Sequence, residues 1–118
     1  MKIRVDKLDV LFSKFIRLRD KYCQRCGGSS GLQTSHFYGR AKQSIRFDPE
    51  NSCLLCFGCH QYFHSHPLEH VEWFKDRLGE VGFDLLQARA RIPGKVDKAA
   101  IELYLKEQIK RLEVDDGS

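Results

Sequence analysis

Residues 56 to 64 read Cys-Phe-Gly-Cys-His-Gln-Tyr-Phe-His and place two kinds of metal ligand in one short run. Cys56 and Cys59 form a Cys-x-x-Cys pair, and His60 and His64 form a His-x-x-x-His pair directly behind it. A second Cys-x-x-Cys pair lies upstream at Cys23 and Cys26. Four thiolates complete a tetrahedral zinc shell and leave no position for a substrate. Two imidazoles leave coordination positions open, which metal-assisted chemistry requires. Each Cys-x-x-Cys turn presents its sulfurs about 4 Å apart, the edge of a tetrahedron with Zn–S bonds near 2.3 Å. The doubled pair therefore predicts a structural zinc on Cys23, Cys26, Cys56 and Cys59.

His60 and His64 are four residues apart, so on a helix they share a face. Cys59 points about 100° away from His60, which predicts two metals on different sides of one helix. His60 as a fifth zinc ligand is disfavoured by the complete set of four cysteines. His66 and His70 also repeat at four, but Pro67 interrupts the turn between them, and they read as surface histidines. Cys53 alternates onto the strand face of Leu55 and reads as a small buried hydrophobe.

Other elements must position these groups. Val5 to Tyr22 predicts a helix with an apolar stripe of Leu8, Leu11, Phe12, Phe15 and Ile16. It must stop before Cys23, since Gly27 to Gly31 is loop material. Leu32 to Tyr38 and Asn51 to Leu55 predict strands, joined by a polar connection over 39–50 that Asp48-Pro49 closes. Gly58 reads as the permissive residue inside its Cys-x-x-Cys turn. Helices are predicted over Cys59–Ser65, Pro67–Leu78, Phe83–Arg91 and Asp97–Leu112, with a break at Ile92-Pro93-Gly94 and fraying from Glu113 onward. Tyr62, Trp73 and Phe74 fall within helices and read as core. The organisation is a basic helix over 1–22, a zinc-stabilised centre over 23–66 and a helical extension over 67–118, together one α+β domain of 118 residues.

Composition narrows the partners. Residues 1–47 carry eleven Lys/Arg against three Asp/Glu, whereas residues 48–118 carry nine against thirteen. A basic half in a small zinc protein points to a polyanion such as nucleic acid. No run of eighteen apolar residues exists, so no membrane span is expected. The charged start, Met1 to Val5, lacks a signal-peptide core, which predicts an intracellular, cytoplasmic protein in which cysteines bind metal rather than pair as disulfides.

The order Cys-x-x-Cys, Ser35-His36, Asn51, Cys-x-x-Cys-His-x-x-x-His resembles the HNH, or ββα-metal, endonucleases. His36, Asn51 and His60 would be the name-giving residues, separated by steps of fifteen and nine. The two Cys-x-x-Cys pairs resemble the zinc-stabilised phage and bacterial members, several of which nick one DNA strand. The resemblance covers roughly residues 20–66 and implies a hydrolase acting on duplex DNA in a bacterial or phage-infected cell. It implies two antiparallel strands, about 33–37 and 51–55, followed by a helix from about 59. It gives His36 the general-base position and His60 and His64 the catalytic-metal positions. Asn51 would fix the loop between the strands and orient the base. The family usually has Asp or His as a metal ligand before the base, and Ser35 stands there instead. The metal could then be held by His60 and His64 with water and phosphate, by Asn51, or by His36 itself.

The chemistry also follows from the residues. A neutral imidazole is a competent base near neutral pH. His36 would deprotonate water while a divalent ion relieves charge on the phosphate and the leaving 3′ oxygen. Arg40, and after it Arg46, are candidates to hold that phosphate. Imidazole ligands suit Mn, Ni, Zn and Cu better than Mg, which favours Mn²⁺ as the working ion over Mg²⁺ or Ni²⁺. Phosphate contacts are expected from Lys14, Arg17, Lys21, Arg40, Lys42 and Arg46. One catalytic set per chain predicts one cut per encounter, by a monomer or a homodimer. The competing reading is a non-catalytic zinc-ribbon module that binds nucleic acid.

Overall fold

A computed structural model describes residues 6–39, 42–93 and 95–116. The Asp6 carboxylate accepts the Leu8 N–H at 2.9 Å, capping one of the donors that a helix start leaves open. Helix α1 (Lys7–Asp20) follows and buries Leu8, Phe12, Phe15 and Ile16 on one stripe. Val5, where the predicted helix begins, lies outside the described residues. The helix ends before the first cysteine pair.

Strands β1 (Leu32–His36) and β2 (Ser52–Cys56) pair antiparallel, with Leu32 opposite Cys56, Ser35 opposite Cys53 and His36 opposite Ser52. Helix α2 (Phe57–Ser65) leaves β2 directly, helix α3 (Pro67–Ala90) follows one residue later, and α4 (Lys98–Asp116) closes the described chain. The sequence predicts separate helices over 67–78 and 83–91. The structure agrees, since α3 is two helices that meet at a kink at Gly79, whose non-helical φ of 80° and ψ of 161° suit glycine. Helix α4 runs beyond the expected end at Leu112, because Glu113 is held by an ion pair from Lys14 of α1 at 3.0 Å.

The two-stranded sheet separates two apolar clusters. Leu54 faces α1 and α4, packing with Phe12, Ile16, Phe47, Leu105 and Ile109. Cys53 and Leu55 alternate to the other face, against Cys23, Cys59 and Phe63. A third cluster of Ile45, Phe74, Phe83 and Leu86 fixes the interstrand connection to α3. Phe37 stacks on Phe74 there, with centroids 4.5 Å apart. Phe74 is core, as the sequence predicts, and Trp73 and Tyr62 are half-buried beside it and the cysteine cluster. No helix among the described residues is long and apolar enough to cross a membrane.

One buried charge ties these parts together. Asp20, at the end of α1, accepts the backbone N–H of Leu54 in β2 at 2.8 Å and pairs with Arg19, also at 2.8 Å. Arg77 of α3 adds a third contact at 3.6 Å. Arg19 in turn donates to the carbonyls of Pro49 and Ser52. Asp20→Ala would orphan a buried N–H and leave two cations uncompensated. It should cost roughly 3–5 kcal/mol, measured as a lowered midpoint in urea unfolding, and an unchanged midpoint would refute the role.

Candidate metal centre and histidine cleft

The sulfurs of Cys23, Cys26, Cys56 and Cys59 all lie within 4.8 Å of one another. The Cys26 and Cys56 sulfurs are 3.7 Å apart, close to the edge of a zinc–thiolate tetrahedron. Two knuckles create this arrangement. In the first, Gly27 adopts φ 79° and donates to the Cys23 carbonyl, while the Cys26 and Gly28 N–H groups point at the sulfurs of Cys23 and Cys26. In the second, the Cys56 sulfur caps α2 by accepting the Cys59 N–H at 3.4 Å. The permissive glycine of the pairs is Gly27; Gly58, expected to serve that purpose, sits in ordinary helix.

Electrostatics at the cluster favour a cation. Burial raises the Cys59 thiol to about 12, offset in part by the Arg25 hydrogen bond and reinforced by the sulfurs of Cys56, Cys23 and Cys26. Cys23 is drawn down to about 6, because backbone N–H groups of Cys26, Cys56 and Arg25 outweigh its burial. Arg25 reaches the Cys59 sulfur at 3.5 Å and lies over the Tyr62 ring, 4.2 Å from its centroid. Four such sulfurs could hold a metal ion such as zinc. Cys53 is apart from them, and burial pushes its thiol up to about 12, the state of an inert apolar side chain.

A cleft of about 240 Å³ lies at the end of β1, lined by Ser35, His36, Phe37, His60, Phe63, His64, Pro67 and His70. Helix α2 carries Cys59 into the sulfur cluster and His60 and His64 into the cleft, so one helix serves both. The buried Nδ1 of His60 has no hydrogen-bond partner. Such a nitrogen is costly unless something binds it. Among the described residues no second group of three ligand atoms gathers as tightly as the four sulfurs.

Alternation sends Ser35 to the α2 side of the sheet and His36 to the α1 side. The His36 ring lies 5.6 Å from that of Phe12, and the cleft wraps the strand end so that both residues reach it. His36 Nε2 lies 3.1 Å from the carbonyl oxygen of Arg46. A carbonyl only accepts, so Nε2 carries the proton and Nδ1 is the basic nitrogen. Arg46 is itself held by a two-pronged ion pair to Asp9 and a contact to Asp6 at 3.6 Å. Its guanidinium, expected to meet phosphate, instead anchors the carbonyl that orients His36. Asn51 is fully buried, exchanges hydrogen bonds with the backbone of Tyr38 at 2.8 and 3.1 Å, and donates to the Ile45 carbonyl. It is committed to fixing the interstrand loop.

The other predicted contacts scatter. Lys14 is paired with Glu113, and Arg17 reaches the Leu32 carbonyl at 3.4 Å. Lys21 and Lys42 are exposed, and Arg40 lies outside the described residues. His66 is a surface residue stacked on Tyr62. His70, expected at the surface, is half-buried in the cleft and stacks on Phe63 with centroids 4.6 Å apart. Burial, and then nearby His60, hold its imidazole below the usual value. The sequence signal was its four-residue step to Phe74, which puts it on the buried face of α3.

The chain matches no protein-family profile, and no curated protein or solved structure is significantly similar to it. The geometry defines a small α+β protein with a two-stranded antiparallel sheet and a four-cysteine cluster suited to metal.

Proposed function

We propose that this chain is a metal-dependent endonuclease of the HNH type, which hydrolyses phosphodiester bonds in duplex DNA and nicks one strand per encounter. The observation that carries the reading is the shared cleft. His36 from β1 and His60 and His64 from α2 open into one space, apart from the sulfur cluster. Zinc on the four cysteines knits the centre together. His60, with its unpartnered Nδ1, and His64 would hold the catalytic ion, Mn²⁺ in preference to Mg²⁺. That ion, when bound, relieves charge on the phosphate and on the leaving 3′ oxygen. The remaining positions would be left to solvent and phosphate, because Ser35 is a poor ligand and Asn51 is committed to the loop.

The chain's own residues handle the proton. The Arg46 carbonyl fixes the tautomer of His36, and Nδ1 takes the proton of the attacking water. Asn51 holds the loop that presents this carbonyl by binding the backbone at Tyr38 and Ile45. One such set per chain cuts one strand. Supercoiled plasmid incubated with Mn²⁺ should accumulate open circles before linear product, with slower cutting in Mg²⁺. Linear product from the outset would reject nicking. No cutting with Mg²⁺, Mn²⁺, Ni²⁺ or Zn²⁺ would leave only a zinc-knit module that binds nucleic acid.

A further inference from the structure

The basic residues fall into two groups once their partners are known. Lys7, Lys14, Arg19, Arg46, Arg77, Arg89, Lys106 and Arg111 are all engaged by carboxylates. On α1, Lys7 and Lys14 are covered by Glu102 and Glu113 of α4. The helix that carries much of the chain's basic character is thus largely neutralised where the sequence alone places the polyanion. Arg17 of α1, Lys75 of α3 and Lys110 of α4 are exposed without an ion pair among the described residues, and so are Lys42, Arg91, Lys95 and Lys98.

Those four cations converge. Lys42 and Arg91 line a concavity of about 550 Å³, and Lys95 and Lys98 line one of about 620 Å³. Gln43 lines both, so the two concavities adjoin as one groove. Among the described residues the acidic one on its lining is Asp97, which caps the start of α4 by accepting the Ala100 N–H at 3.0 Å. One side of the groove is tied to α3. Ser44 donates to the Arg89 carbonyl at 2.9 Å, and Arg89 pairs with Asp48 at 2.6 Å. The segment that contributes Lys42 continues within four residues to Arg46, whose carbonyl holds His36.

We propose that this groove is a second DNA-binding site, which grips the phosphate backbone of the duplex flanking the point of cleavage. The inference rests on the endonuclease reading for its choice of DNA as the polyanion. Four exposed cations around a concave surface match a repeating line of phosphates and carry no sequence preference. Lys42 belongs to the same interstrand connection that Asn51 fixes and whose Arg46 carbonyl meets His36, which links the groove to the cleft along the chain.

The test is an Arg91→Ala/Lys95→Ala/Lys98→Ala variant. All three residues are exposed and outside the apolar clusters, so zinc content and circular dichroism should match wild type. Binding of a labelled forty-base-pair duplex is followed as a function of salt. Each lost phosphate contact lowers the slope of log K against log salt by about 0.9. The variant should bind at least tenfold more weakly at low salt, with a slope shallower by about 2 to 3. A wild-type slope and affinity would overturn the groove while leaving the nuclease intact, since plasmid nicking at saturating protein would persist. Loss of binding in the variant, together with a wild type that cuts DNA with none of the four metals, would support the groove and remove the nuclease reading. A wild-type protein that binds no duplex would overturn both.

Discussion

Cys59→Ser, or removal of metal with a strong chelator, should unfold the protein. Cys59 and Cys23 are 5% and 1% exposed and pack directly with Cys53, Leu55 and Phe63. Without a metal, that cluster is four sulfurs within 4.8 Å, among which burial and the neighbouring sulfurs hold the Cys59 thiol in its neutral form. Structural zinc contributes apparent folding energies of about 10–16 kcal/mol in small domains, comparable to the whole stability of about 5–15 kcal/mol typical of a protein. The sheet is only two strands, and both knuckles flank it, so the sulfur cluster is a main tie between the Cys23 turn and α2, beside the Gln24 N–H bond to the Leu54 carbonyl and the Arg25 contacts. Circular dichroism should show cooperative loss of helix on chelation and recovery on adding zinc. Cys53→Ala is the control. It loses a small buried group at a cost of about 1 kcal/mol and should keep one zinc per chain. A Cys59→Ser protein that keeps its helix content and melting temperature would show that the sulfurs are a packing cluster and no metal is needed.

How much of this was legible in the sequence depends on how local each cause is. Cys-x-x-Cys turns and a His-x-x-x-His step are set by backbone geometry over a few residues. Their spacing therefore anticipates four clustered sulfurs and two imidazoles on one helix. The break before α4 is equally local. The rest needed partners distant in the chain. Arg46 reads as a free cation until α1 brings Asp9 to it across 37 positions. Lys14 reads as a phosphate contact until Glu113 covers it. Charge totals record neither pairing. His70 reads as a surface residue because Pro67 suggests an irregular turn, yet Pro67 simply starts α3, and the packing of α3 turns His70 inward. The error at Gly58 has the same root. A Cys-x-x-Cys pair can be a loop or a helix start, and the capping Cys56 sulfur made this one a helix start.

The second large effect concerns chemistry rather than folding. His36→Ala should lower the rate of Mn²⁺-dependent nicking by about 10²–10⁴-fold, the usual contribution of a positioned general base. The fold should survive. The ring is only partly buried, and its bond to the Arg46 carbonyl is worth about 1 kcal/mol net. Zinc content and melting temperature should therefore stay close to wild type, in contrast to Cys59→Ser. The same variant separates the two roles open to this imidazole. A base removes a proton, so its loss should be partly rescued by added imidazole or by raising the pH, with the Mn²⁺ concentration for half-maximal rate unchanged. A ligand holds the ion, so its loss should raise that concentration and be rescued by excess metal. The Nε2 proton bound to the Arg46 carbonyl leaves His36 one basic nitrogen, which can serve water or metal but not both. His60 and His64 line the same cleft and, on the proposed reading, would supply the imidazoles for an ion, so rescue should follow the base pattern. An undiminished rate in His36→Ala would remove the base from this residue and, with it, the mechanism.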